Sequence, residues 1–274
     1  MKNLIVFVIL SLFSLQSAIG QDSINVSKYK PESFSIDING SIFLISGNSL
    51  YKLDGNDSNT IEFSNKMYGS ITSVDVSNPF KILVFYKETG MIVFLDNHLK
   101  ELQSPISLPK QGLLNTELAC TGSDNSFWIY YTDTRQIIKF NYQINVITST
   151  PDLSVLCPTS TTPTIITERG DKLFMLIPEF GVVIFYTSGN YCQTINFKKI
   201  SSFMPLSENE LFYISDNAIP FIMNFRTNSF NELTSLTKYN SNNQIVYFNN
   251  KIYELDKDRI KIHTLKVHES SNQK

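Results

Sequence analysis

Four acids follow apolar runs at comparable places along the chain. They are Glu88 after "ILVFYK", Asp133 after "FWIYYT", Glu179 after "LFMLIP" and Asp216 after "LFYIS". Two bases share these stretches, Lys87 and Arg135. A ring of carboxylates with flanking bases can hold a cation or orient a sugar or a peptide. Acids are also ordinary turn-formers, because their short polar side chains bond to nearby backbone.

Other chemistry is sparse. The three histidines, His98, His263 and His268, show neither HExxH spacing nor any paired-His pattern, so a zinc or iron site built on histidine is not indicated and all three read as surface residues. The three cysteines, Cys120, Cys157 and Cys192, lack CxxC spacing. A Cys157–Cys192 bridge is conceivable in an oxidising compartment, but small buried hydrophobes are the simpler reading. No GxSxG elbow, phosphate-binding glycine loop or spaced Asp calcium loop occurs. The sequence therefore indicates no catalytic residues, no metal and no cofactor.

The elements that would position the acids come from a repeat. Polar turn, apolar strand, short turn, second apolar strand and a closing Asp or Asn recur six times, as in "DVSNPFKILVFYKETGMIVFLDN". Counted from the leading apolar residue of each hairpin, Ile42, Ile82, Phe127, Leu173, Leu211 and Ile245, the steps are 40, 45, 46, 38 and 34 by subtraction. The turns are rich in Gly, Asn, Asp and Ser, and the lengths suit antiparallel hairpins rather than helical crossovers. Further apolar runs flank each hairpin, giving four strands per unit. In the sixth unit the innermost strand is not evident, and "LTKY" near Leu236 is its poor substitute.

Strands such as "ILVFY", "FWIYY" and "VVIFY" are apolar at nearly every position, so they must be covered on both faces. Trp128, inside "FWIYY", is accordingly expected in the core. A single four-stranded sheet cannot cover itself, but sheets packed radially against two neighbours do. The expected fold is all-β, a β-propeller of six four-stranded blades. A double-sheet sandwich is the rival. In the propeller, the turns bearing the acids share one face with the linkers carrying Lys66, Tyr68 and Lys110. Lys87, Glu88, Asp133, Arg135, Glu179 and Asp216 are then the candidate partner-binding residues.

"FWIYYTDTRQIIKFN" resembles an NHL-type propeller repeat, and "GSITSVDVSNPFKILVFY" is similar to that family's inner strand leading into its second. The plan from Ser33 to Val267 resembles six-bladed TolB-like or NHL-like propellers, although most of the usual NHL glycines are missing and WD40 signatures are absent. The resemblance implies a fold and a propensity to bind, and carries over no catalytic residue.

The first residues have the form of a secretory signal. Lys2 precedes an apolar stretch from Leu4 to Leu15, and the small residues Ala18 and Gly20 place cleavage before Gln21. The expected organisation is a signal peptide over 1–20, a single propeller domain over 21–267 and a polar tail over 268–274. The destination is the periplasm or the extracellular space. Loss of Lys2 takes the formal charge from −2 to −3, too little for a charge-driven partner, and no basic patch suggests nucleic acid. No later run reaches membrane length.

Together these features describe an exported, non-enzymatic binding or scaffold propeller of the bacterial envelope. It would be a monomer offering one face to a protein or glycan partner. The alternative is an exported hydrolase or lactonase-like propeller with a carboxylate or metal site at the channel mouth. Glu117, at the start of "TELAC", is the main acid on an inner strand.

Overall fold

The computed structural model describes residues 22–54, 60–157, 161–197 and 200–267. The proposed signal segment, the residue at the cleavage site and the tail with His268 lie outside these.

The strands form six blades, each an antiparallel meander running from an inner to an outer strand. Blade 1 comprises Ser33–Ile36, Ile42–Ser46, Ser49–Leu53 and Thr60–Ser64. Blade 2 comprises Ser73–Asp75, Ile82–Tyr86, Met91–Leu95 and the short Ile106–Ser107. Blade 3 is built from Thr116–Gly122, Ser126–Tyr131, Gln136–Asn141 and Val146–Ser149. Blade 4 follows with Ile165–Arg169, Lys172–Ile177, Gly181–Tyr186 and Tyr191–Ile195, and blade 5 with Ile200–Pro205, Glu210–Ser215, Pro220–Asn224 and Ser229–Ser235.

Blade 6 corrects the expectation for the sixth unit. Gln244–Phe248 is its inner strand, not its second, followed by Lys251–Asp256 and Arg259–Val267. The outer strand comes from the other end of the chain: Ser23–Asn25 pairs antiparallel with Arg259–Lys261. With Ile252 as the second-strand marker in place of Ile245, the last step becomes 252 − 211 = 41, in line with the others. The far half of the same third strand pairs with the outer strand of blade 5, Leu233 opposite Val267 and Ser235 opposite Leu265. Blades 5 and 6 and the N-terminal strand thereby share one sheet.

The all-apolar second strands follow from this geometry. In Ile82–Tyr86, Ile82, Val84 and Tyr86 pack against Phe43 and Leu50 of blade 1, while Leu83 and Phe85 pack against Phe127 and Phe140 of blade 3. Successive side chains of a strand point to opposite faces, so each blade serves two cores. Trp128, fully buried, joins the core between blades 3 and 4 as expected, and its neighbours Phe127 and Ile129 join the core between blades 2 and 3. Equivalent cores lie between blades 4 and 5, 5 and 6, and 6 and 1. The ring closes with apolar contact at every junction. The last junction is also tied by a side chain: Gln244 accepts from the Phe34 N–H at 2.8 Å and donates to the Phe34 carbonyl at 2.9 Å, standing in for a strand pair between inner strands.

Below the turns that join first and second strands, buried polar groups link blades 2, 3 and 4. One Asp75 carboxylate oxygen accepts from the Thr121 N–H at 2.8 Å and its hydroxyl at 2.7 Å. Lys81 donates to the Gly122 carbonyl at 3.2 Å. Glu168 accepts from the Ser123 N–H and from Trp128 Nε1, both at 2.6 Å, and pairs with Lys139 at 3.3 Å. Blade 3 is held from both sides by carboxylates of its neighbours. Read from sequence, these residues belong to turn chemistry. In the fold they satisfy groups that burial would otherwise leave without water.

Two further expectations meet the structure here. Cys120, Cys157 and Cys192 are all free thiols, the first two buried. Burial pushes the Cys157 thiol up to about 11, so it is not a ready nucleophile. His263 is not a surface residue but fully buried. Its Nε2 lies 2.9 Å from Glu254 Oε2 and its Nδ1 lies 2.7 Å from the Thr237 hydroxyl. Glu254 also accepts from the Asn240 N–H and the Asn243 amide. This cluster pins the linker from blade 5 to blade 6. His98, by contrast, is exposed.

Candidate binding face

Because all inner strands run the same way, every turn between second and third strands lies at one end of the ring, together with every linker from an outer strand to the next inner strand. Direct bonds confirm the pairing of turns and linkers. Thr89 donates to the Tyr68 carbonyl at 2.7 Å, Thr132 to the Asn115 carbonyl at 2.9 Å, and Tyr239 to the Ala218 carbonyl at 2.6 Å. Lys66 and Tyr68 lie in one short 3-10 turn on this face and Lys110 in another.

The six candidate residues are all exposed on this face, but they do not form one cluster. Lys87 pairs with Glu117, the inner-strand acid of blade 3. Its turn needs Gly90, whose φ is 62° and where a Cβ would fall 2.6 Å from the Pro109 ring. Asp133 is held within its own blade, accepting from the Asn115 amide at 2.7 Å and the Tyr131 hydroxyl at 2.6 Å. Arg135, at φ 50°, flanks a small cleft with Tyr130 and Cys157. Glu88 stands beside the 65–72 linker, its carboxylate 3.8 Å from the place a Gly69 Cβ would take.

Glu179 and Asp216 are brought together. Both line a cavity of about 590 Å³ between blades 4 and 5. Ile165 and Ile177 of blade 4, Phe197 and Ile200 leading into blade 5, and Ser241 and Asn242 of the next linker complete its walls. Gly181 lets the wall come this close: at φ 133° its Cβ would sit 2.2 Å from the Ile195 carbonyl oxygen.

Sequence reading missed one member of the series. With blade 6 in its correct frame, its turn between second and third strands carries the exposed Asp258, so acids occupy this turn in blades 2 to 6. The Asn249–Asn250 pair, both at positive φ, was the available signal, since two such residues in succession mark a tight hairpin between inner and second strands. Among the described residues no three His, Cys, Asp or Glu side chains converge as metal ligands would.

The Asp133 carboxyl is held below the usual carboxylate range by its bonds from Tyr131 and Asn115. A group with a depressed folded value contributes its stability at neutral pH and loses it as pH falls through that value. Tyr131→Phe is expected to move the Asp133 titration midpoint up toward the ordinary value. Carboxyl carbon shifts followed by NMR across the acid range check this, and an unmoved midpoint contradicts it.

Exposed apolar side chains also gather on this face. Met67, Leu114 and Val155 project from three successive linkers with 87%, 68% and 78% of their surface exposed. Ile38 and Phe80 are exposed on the opposite face.

Among the described residues no helix is long and apolar enough to cross a membrane. No protein-family model matches the sequence, and no curated protein matches it. Solved structures do share its architecture. A streptogramin B lyase superposes with a TM-score of 0.56 at 14% identity, over 89% of this chain and 97% of the other. Virginiamycin B lyase from Staphylococcus aureus gives 0.57 at 12% identity, over 89% and 99%. The extracellular domain of a one-component system from B. thetaiotaomicron gives 0.55 at 15% identity, over 85% of this chain and 33% of the other. At such identities the likeness extends to the fold alone, and the chain is a β-propeller.

Proposed function

We propose that this protein is an exported, monomeric, non-enzymatic propeller of the bacterial envelope, with a signal peptide over 1–20 and a single domain over 21–267. It presents the face of second-to-third-strand turns to a protein partner. One observation carries the reading: three acids and three large apolar side chains on this face stand unused by the fold. On the opposite face Asp37, Asp75 and Glu168 are spent on internal hydrogen bonds. On the proposed face Glu88, Glu179 and Asp216 hydrogen-bond to nothing among the described residues, and Met67, Leu114 and Val155 stand exposed beside them. Charges and apolar groups that folding does not use are the raw material of an interface, and loops on a rigid scaffold are where binding groups sit. Two neighbours in the fold are lyases and one is the extracellular domain of a one-component system, so the architecture itself is not tied to one role.

The test is crosslinking and pull-down from intact cells. Met67→Ser, Leu114→Ser and Val155→Ser combined are expected to lower recovery of the partner at least about tenfold, the order of a few lost interface contacts. The melting temperature should hold, because exposed substitutions typically cost within about 0.5 kcal/mol. Intact recovery with this variant, alongside loss with Ile38→Ser and Phe80→Ser, would place the interface on the other face.

A further inference from the structure

The rim between blades 2 and 3 holds a cavity that the strand pattern itself leaves open. The outer strand of blade 2, Ile106–Ser107, is two residues long, against four or more in blades 1, 3, 4 and 5. It pairs with Met91 and Ile92. Pro105 precedes it and has no N–H to give the ladder. Earlier in the chain Leu102 donates to the Phe94 carbonyl at 2.9 Å, so residues 103–105 leave the third strand between these two attachments. Facing the gap is the turn at 142–144 of blade 3. The result is a cavity of about 390 Å³. Met91, Ile106, Tyr142 and Ile144 give it an apolar wall, and two serines, a glutamine and Lys110 give it a polar one.

Every residue lining this cavity is among the described ones, and its walls are tied down. The Leu108 N–H donates to the Gly90 carbonyl at 2.9 Å, and the Leu113 N–H to the Leu108 carbonyl at 3.0 Å. Across the gap the Asn141 side chain accepts from the Gln143 and Asn145 N–H groups at 3.0 and 2.9 Å. The Tyr142 ring is held by the Phe94 ring, 4.7 Å away between centroids, and by the Lys81 ammonium, 5.3 Å from its centroid. A site with fixed walls binds without first losing entropy to order itself. Lys110 is the only charged side chain in the lining, and it is exposed. The Tyr142 hydroxyl is buried and has no hydrogen-bond partner among the described residues. Burial pushes it up to about 12, so at neutral pH it keeps its proton and is a donor. Tyr86 also lacks a partner for its hydroxyl, but it lies in the core between blades 1 and 2. An unmet buried donor costs stability that phenylalanine in the same place would not. In a cavity wall, that donor suits an acceptor that folding does not supply.

We infer that this cavity is a small-molecule site for a carboxylic acid with an apolar body. The body lies against Met91, Ile106 and Ile144, and the carboxylate accepts from the Lys110 ammonium and the Tyr142 hydroxyl. A cation with no acid in the same lining favours an anion and disfavours an amine. The volume is that of an ordinary ligand site, and an apolar wall with a few placed polar groups is what such sites offer. The inference goes beyond partner recognition. Neither the exposed apolar side chains of the linkers nor Glu179 and Asp216 take part in it.

The experiment is a titration of the methionine and isoleucine methyl NMR signals of the mature protein. The probes are hexanoate, hexanol and hexylamine, which share one apolar body. Hexanoate is expected to shift the methyls of Met91, Ile106 and Ile144 and leave that of Ile38 unmoved. Hexanol should bind at least about threefold more weakly, and hexylamine more weakly again. Lys110→Gln should weaken hexanoate about two- to fivefold, the effect of losing one exposed ion pair, and leave hexanol unchanged. Tyr142→Phe should weaken hexanoate about three- to tenfold, the effect of one lost hydrogen bond. The same variant should keep or raise its urea midpoint, because the donor it removes has no partner in the fold. A hydroxyl with a purely structural role would lower that midpoint instead. Equal binding of the three probes, shifts confined to other regions, unchanged hexanoate affinity in either variant, or a lowered midpoint in Tyr142→Phe would each overturn the inference.

Discussion

Trp128→Ala should lower stability by about 3–5 kcal/mol, the range for large buried truncations. The side chain is wholly buried and packs in the core between blades 3 and 4 with Leu173 and Phe185. Its loss opens a cavity in a layer whose other members are held by two blades and cannot collapse freely. It also removes the Nε1 donor from Glu168, which lies 2.6 Å away. Trp128→Phe separates the two effects by keeping most of the volume and losing the donor, at an expected cost of about 1–3 kcal/mol. Urea unfolding with an unchanged slope reads the difference directly. A variant that kept its midpoint while losing partner binding would make Trp128 a recognition residue instead.

Glu168→Ala is expected to be as severe, about 3–5 kcal/mol, because breaking a buried ion pair leaves the other charge uncompensated. Lys139, whose side chain is buried, would be left without its carboxylate, and the Ser123 N–H and Trp128 Nε1–H would lose their acceptor. Adding Lys139→Met to Glu168→Ala should restore a large part of the loss, since a buried pair replaced by apolar groups is often neutral. If Glu168→Ala costs under about 1 kcal/mol, the carboxylate is no clasp and this account of blade 3 is wrong. The two predictions share atoms, so Trp128→Ala combined with Glu168→Ala should cost less than their sum.

The hairpins, the six-fold repeat and the face shared by turns and linkers were legible in sequence, because each is written in local periodicity. "ILVFY" has no polar position, which only a doubly covered strand permits, and that sufficed to infer radial packing. The frame of blade 6 was not legible. Its inner strand, "QIVYF", is as apolar as a second strand, and its outer strand lies at the other end of the chain. Nothing local connects Ser23–Asn25 to Arg259–Lys261. His263 was misplaced for a related reason. Its partners Glu254 and Thr237 stand 9 and 26 residues away, at positions fixed only once the strands have paired.

The clasps around blade 3 show a signal that was present but unread. Asp75 to Thr121, Lys81 to Gly122, Glu168 to Ser123 and Glu168 to Trp128 are separated by 46, 41, 45 and 40 residues. Each is one blade period. A polar residue at the end of an inner strand can therefore be paired with candidates one repeat away. The free acids are different: Glu179 and Asp216 sit in one cavity through the curvature of the ring, and their spacing alone does not bring them together.

The N-terminal strand has a consequence in time. Ile24 pairs with Ile260, a separation of 260 − 24 = 236 residues. Closing a flexible loop of that length costs on the order of 5 kcal/mol in chain entropy, before any constant for the ends. A ribosome makes the chain from the N-terminus, so every other blade exists before this pairing becomes available. Until residue 260 has been made, Phe34 and Leu44 in blade 1 lack the wall that Leu255 and Ile260 supply. Ser23–Asn25 is among the earliest segments to be synthesised, yet it cannot dock until the third strand of blade 6 has been made.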